Sequence, residues 1–129
     1  MTAKNAALVI GFIFIAVGLL GFVDNPIIGG AENAIFHADT FHNGVHIGSG
    51  VLFVLIALAA PGFAGTFLII FGIVYLLLGV VGLISIGTQG MGKVLGILHV
   101  NGADNLLHIA LGVLILIAGI SSRKSPVTS

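Results

Sequence analysis

The chain has no cysteine and very little charge. Without thiols it cannot form disulfides, iron–sulfur clusters, thiolate metal sites or covalently attached c-type haem. Charged residues make up 6% of the sequence, where soluble domains carry about 25%. So few charges cannot cover the surface of a water-soluble fold, and the 58% apolar content and mean hydropathy of +1.28 make a lipid bilayer the natural solvent. Four Lys and Arg balance four Asp and Glu, which excludes attraction to nucleic acid or to acidic substrates as the main theme. There is no nucleophile elbow, HExxH pair, phosphate loop or dinucleotide fingerprint. The pattern is that of a non-enzymatic protein.

Four apolar runs are present, about Ala6–Val23, Asn43–Ala60, Thr66–Ile86 and Asn105–Ile120. Each approaches the roughly 17–25 residues that a helix needs to cross a bilayer. The first run is longer than the apolar segment of a signal peptide, about 7–15 residues, and no small-residue cleavage site follows, so it reads as a retained span. Lys4, Arg123 and Lys124 fall on the side of both termini. The other side has Lys93 alone among Asp24, Glu32, Asp39 and Asp104. This bias predicts a multi-pass protein of the plasma membrane with both termini in the cytoplasm.

The chain repeats itself. A shift of 61 residues places Gly11, Gly18 and Gly21 on Gly72, Gly79 and Gly82. A shift of 62 places Ile35, His37, Asn43 and His46 on Ile97, His99, Asn105 and His108. Ile47, Gly50, Val51 and Leu52 then fall on Ile109, Gly112, Val113 and Leu114. Matching apolar residues mean little in such a chain, but paired His, Asn and Gly do not arise from hydrophobicity. The fold expected is all-α, a single transmembrane domain over residues 1–129. It is a four-helix bundle of two tandem two-helix repeats, about 6–60 and 66–120, with a disordered tail over 121–129. With an even number of spans per unit, a pseudo-two-fold axis would run along the membrane normal. The glycines of each triplet lie within about 80° on one helix face, where small residues let helices approach closely in lipid. Gly44 and Gly48 add a local GxxxG. Short apolar pieces in the outer connections, Ala34–Phe36 and Val94–Leu98, read as half-turns or helices at the interface. Pro61–Gly65 reads as a tight inner turn.

Most titratable side chains away from the termini gather at the outer ends of the second and fourth helices. They are His37, Asp39, His42 and His46 in one unit and His99, Asp104 and His108 in the other. His42 and His46, like Asp104 and His108, are four residues apart and share a helix face. One turn inside a helix N-terminus the dipole disfavours imidazolium, and neutral imidazole is the metal-binding form. His42, His46, Asp104 and His108 are the candidate metal ligands, with His37 and His99 as weaker ones. Imidazole and carboxylate without thiolate suit a divalent transition metal. A variant is b-type haem between His46 and His108, with Gly50 and Gly112 one turn below leaving room for a flat ring. Against haem, Lys93 alone could pair with propionates, and no aromatic-rich pocket is evident. The competing explanation is structural: His, Asn and Asp are ordinary at helix ends, and Asp104 fits an N-cap.

The strings His46-Ile-x-x-Gly50 and Ala103-Asp104-Asn105-Leu-Leu-His108-Ile-x-x-Gly112 resemble a family of small bacterial membrane proteins, domain of unknown function 4383. The resemblance covers most of the chain and implies a four-span bacterial membrane protein, with no activity attached. The first unit departs from the pattern, with His42 where the second has Asp104. The leading expectation is an accessory or self-associating bundle in the lipid bilayer, a homo-oligomer or a subunit of a membrane complex. The alternatives are a histidine-ligated metal or haem protein for electron transfer or metal handling, and a minimal transporter.

Overall fold

A computed structural model describes residues 2–30, 34–96 and 98–122. Glu32, Ile97, Arg123, Lys124 and the rest of the tail lie outside them. The described chain forms four long helices, α1 (Ala3–Leu20), α2 (Thr40–Ala59), α3 (Ala64–Ile86) and α4 (Gly102–Ser122). All four are long and apolar enough to cross a membrane. At 1.5 Å per residue they run about 27–35 Å, which matches the roughly 30 Å hydrocarbon core. Their outward residues are large and apolar, for instance Phe12, Leu55 and Ile84, the last 81% exposed. Such a surface is what lipid contact requires of a spanning helix. This is a multi-pass membrane protein, with α4 continuing through Ser121 and Ser122, where a disordered tail was expected. Ser122 Oγ caps the last turn by donating to the Gly119 carbonyl at 2.9 Å.

Glycine sets the pairing of the helices. A methyl group added at Gly50 would meet the Gly11 carbonyl oxygen at 2.5 Å, and one at Gly72 would meet the Leu116 nitrogen at 2.6 Å. Backbone thus lies on backbone in the pairs α1–α2 and α3–α4. Equivalent contacts recur in the two pairs: Gly18 packs on Ile47 and Asn43, and Gly79 on Ile109 and Asn105. Gly21 is filled by the Asn43 amide oxygen and Gly82 by that of Asn105. The glycine stripes therefore face protein within each pair. Gly44 and Gly48 are different, with nothing within 4 Å of either, so that GxxxG is on the outside. Between the pairs lies an aromatic and aliphatic core of Phe14, Phe53, Leu68, Tyr75 and Ile115. A short 3-10 turn, Pro61–Phe63, joins the pairs at the inner end.

Among the described residues the outer connections are short strands and turns, where interfacial helices or half-turns were expected. Strand β1 (Ile28–Gly29) pairs in parallel with β2 (Phe36–His37). Strand β3 (Met91–Val94) pairs antiparallel with β4 (Leu98–Asn101), Lys93 opposite His99. The hairpin turns at Leu95 and Gly96, both with positive φ (57° and 74°), a conformation that glycine adopts readily and leucine does not. Leu98-His99-Val100-Asn101 alternates, burying Leu98 and Val100 and leaving His99 and Asn101 half-buried. That two-residue period is a strand signal. With Val94 they form a second apolar cluster against Val45, Leu78 and Ile86, so the hairpin covers the outer end of the bundle. In the first connection the Asn25 side chain holds the turn. Its Nδ2 donates to the carbonyls of Leu20, Val23 and Ile28, and its Oδ1 accepts from Ile27 and Ile28.

Candidate metal centre

The site begins with two helix caps that differ at the cap residue, Asp39 against Asn101, and three residues on, His42 against Asp104. Asp39 caps α2, its Oδ1 accepting from the His42 N–H at 2.9 Å. Asn101 caps α4 in the equivalent way, its Oδ1 accepting from the Asp104 N–H at 2.9 Å. Asp104 reaches back, and its Oδ2 accepts from the Asn101 N–H at 2.8 Å, which completes a reciprocal capping box. The N-cap is thus Asn101, not Asp104. The same Oδ2 takes the His37 N–H from the other unit at 3.0 Å, and Asn101 Nδ2 donates to the Ile35 carbonyl at 3.0 Å. Asp104 is buried and committed to backbone, so it stands apart from the histidines with which it was grouped.

His42 occupies the position in α2 that Asp104 holds in α4. An imidazole cannot close the capping box as a carboxylate does, and its ring instead turns inward and is buried. His42 Nδ1 lies 3.0 Å from the His99 carbonyl oxygen. A carbonyl only accepts, so Nδ1 carries the proton and Nε2 presents a bare lone pair. That lone pair has no hydrogen-bond partner among the described residues, and neither do the buried Nδ1 atoms of His46 and His108. One ring nitrogen from each of His42, His46 and His108 lies within 4.8 Å of the others. The rings of His46 and His108 stand 4.5 and 5.7 Å from that of His42, centroid to centroid.

Three buried imidazoles with partnerless nitrogens are costly unless something binds them. With the three nitrogens no more than 4.8 Å apart, a point exists within about 2.8 Å of each, against the roughly 2.0–2.1 Å of a zinc–imidazole bond. Closing that gap takes side-chain shifts of less than about 1 Å per ring. The His42 arrangement, with one nitrogen held by a backbone carbonyl and the other free, is the usual support of a metal-bound histidine.

His37 and His99 lie further out. Their rings meet edge to face, with Nε2 of His37 2.7 Å from Nδ1 of His99. Burial holds His37 below the ordinary histidine pKa, the neighbouring His99 pushes in the same direction, and Asp39 opposes both. This pair is engaged with itself, and the His99 carbonyl that accepts from His42 links it to the trio.

Gly50 and Gly112 do not leave a slot for haem. Gly50 abuts the Gly11 carbonyl and Ile15, and Gly112 abuts Leu76 and the Gly72 carbonyl. Each turns to its own partner helix, and the His42 ring stands beside the two histidines. The aromatic setting, in contrast, is richer than the sequence suggested. Phe14 lies 5.9 Å from His46, and Tyr75 lies edge-on 5.3 Å from His108. The shift of 61 that aligns the glycines also places Phe14 on Tyr75, and this signal could have found both.

No curated protein and no solved structure matches the chain. A family model does, the one described as a domain of unknown function (DUF4383), over residues 4–121. That span takes in all four helices, the hairpin and the three inward histidines. The chain belongs to the DUF4383 family.

Proposed function

We propose that this protein is a metal-binding membrane protein that holds one divalent transition-metal ion between His42, His46 and His108 near the outer end of the bundle. The observation that carries the reading is that one ring nitrogen from each of three buried histidines lies within 4.8 Å of the others, and that each ring has a buried nitrogen with no hydrogen-bond partner among the described residues. Three neutral imidazoles without thiolate favour zinc, copper or ferrous iron over magnesium or calcium. Three protein ligands leave a fourth position free, as in zinc sites that take up an exogenous group. The Lys and Arg bias supports cytoplasmic termini in a bacterial plasma membrane, with the metal on the opposite face. A Gln89→Cys variant, the chain's sole thiol, should then react with an impermeant maleimide on intact cells.

The deciding experiment is elemental analysis of protein purified in mild detergent without chelator, followed by Co²⁺ titration of the metal-free protein. One metal per chain and saturable ligand-field bands are expected, with both abolished in His46→Ala/His108→Ala. His37→Gln should keep them. If neither native metal nor Co²⁺ reaches stoichiometric occupancy, the histidines are helix-end packing and the reading fails. Self-association is a separate reading, supported by the outward Gly44 and Gly48 of α2, and crosslinking in native membranes tests it.

A further inference from the structure

His46 and His108 belong to a second feature as well. Between α1 and α4 lies a cavity of about 400 Å³, within the usual 300–1,000 Å³ of ligand pockets. Of its fourteen lining residues, only those two histidines are polar. Phe14 and Val17 form the α1 wall, Leu111 and Ile115 the α4 wall, and Phe36 from β2 reaches the outer end. Ile13 and Leu114, on the rim, are 53% and 63% exposed. On helices that cross a membrane such residues face lipid, so the cavity opens sideways into the bilayer. His42 is not part of its lining.

We infer that this cavity binds an uncharged, lipid-soluble ring bearing oxygen, of the prenyl-quinone class, which enters between α1 and α4 and sets its oxygen against His46 and His108. The chemistry narrows the occupant in three ways. No charged residue lines the cavity, so a carboxylate or phosphate head would be buried unpaired, at high cost. A bare acyl chain would fill the apolar walls but leave the imidazole nitrogens without partners, and that too is unfavourable. A neutral imidazole offers one N–H and one lone pair. Each ring can therefore give its lone pair to the trio and donate its N–H to a carbonyl oxygen in the cavity. Phe14 and Phe36 supply aromatic surface for a flat ring. The inference goes beyond the metal reading and does not need it, because the apolar walls and the two imidazoles in the lining are there with or without an ion.

The test uses the whole protein in lipid nanodiscs and a benzoquinone with a ten-carbon tail. Saturable binding at one per chain is expected. Leu111→Phe and Val17→Phe, which fill the cavity, should each weaken it at least tenfold, while Val74→Phe on the lipid face of α3 should leave it unchanged. An azido derivative of the probe should label α1 and α4 in the unmodified protein, so the result does not hang on variants that fail to fold. His42→Ala separates the two readings, since it should lose metal and keep the quinone. Three outcomes overturn the inference: no saturable binding, labelling confined to other helices, or equal displacement by decanol. The last would mark a groove for lipid tails.

Discussion

His37 and His99, equivalent positions of the two units, meet ring to ring with Nε2 2.7 Å from Nδ1. A hydrogen bond between two ring nitrogens needs one N–H and one lone pair, so one ring donates while the other accepts. It holds only while both rings are not protonated at once. His99 goes on to accept the His42 Nδ1–H through its carbonyl oxygen, and thereby ties the outer pair to the inner trio.

Acidification should loosen this contact. The folded state holds His37 below its unfolded value of about 6.5. Its contribution is therefore complete above that value and is lost as pH falls through the folded pKa, because the unfolded chain takes up the proton first. The charged or titratable groups around it are His99, Asp39, His42 and Asp104, the last through the His37 backbone N–H. Thermal melts in detergent between pH 8 and pH 5, about 1.5 units either side of the ordinary histidine value, should show a smaller drop for His37→Gln than for the unmodified protein. Equal drops would remove His37 from the account.

Asp104 should matter for folding and not for metal. Asp104→Ala leaves the part-buried Asn101 and His37 N–H groups without an acceptor, at up to about 1–3 kcal/mol for each donor. Asp104→Asn keeps an acceptor oxygen and should cost much less. Metal stoichiometry in Asp104→Asn should stay at one per chain. Loss of metal with an unchanged melting temperature would make the carboxylate a ligand after all.

The glycine seams can be tested against an internal control. Gly18→Leu and Gly79→Leu would drive side chains into Ile47 and Ile109 and onto the carbonyls of Asn43 and Asn105. Overpacking of this kind costs about 1–3 kcal/mol per site, and more where backbone cannot yield. Gly44→Leu has open space and should leave thermal stability of the monomer unchanged. Similar melting temperatures for all three variants would mean that the helix pairs are looser than their contacts indicate.

The units are expected to superpose, α1–α2 on α3–α4, by a rotation near 180° about the membrane normal. The matching contacts Gly18–Asn43 and Gly79–Asn105 motivate this. An experimental structure in nanodiscs measures the angle directly, and an antiparallel relation between the pairs would refute it.

The sequence by itself determined the four spans, the recurring glycine stripes and the recurrence of His46 and His108. These follow from hydropathy over a helix length and from identities of residue types that lipid does not select. It could not assign His42 and Asp104, although both lay on the correct helix faces. Tertiary structure decided that, because a carboxylate at that first-turn position closes a capping box while an imidazole turns inward to a carbonyl on β4. The hairpin was half legible in the alternation Leu98-His99-Val100-Asn101, but which carbonyl it would carry to His42 depends on how it closes over the bundle. Phe14 and Tyr75 met their histidines for the same reason. Contacts between helices depend on rotation and depth as well as residue type, and only packing sets those.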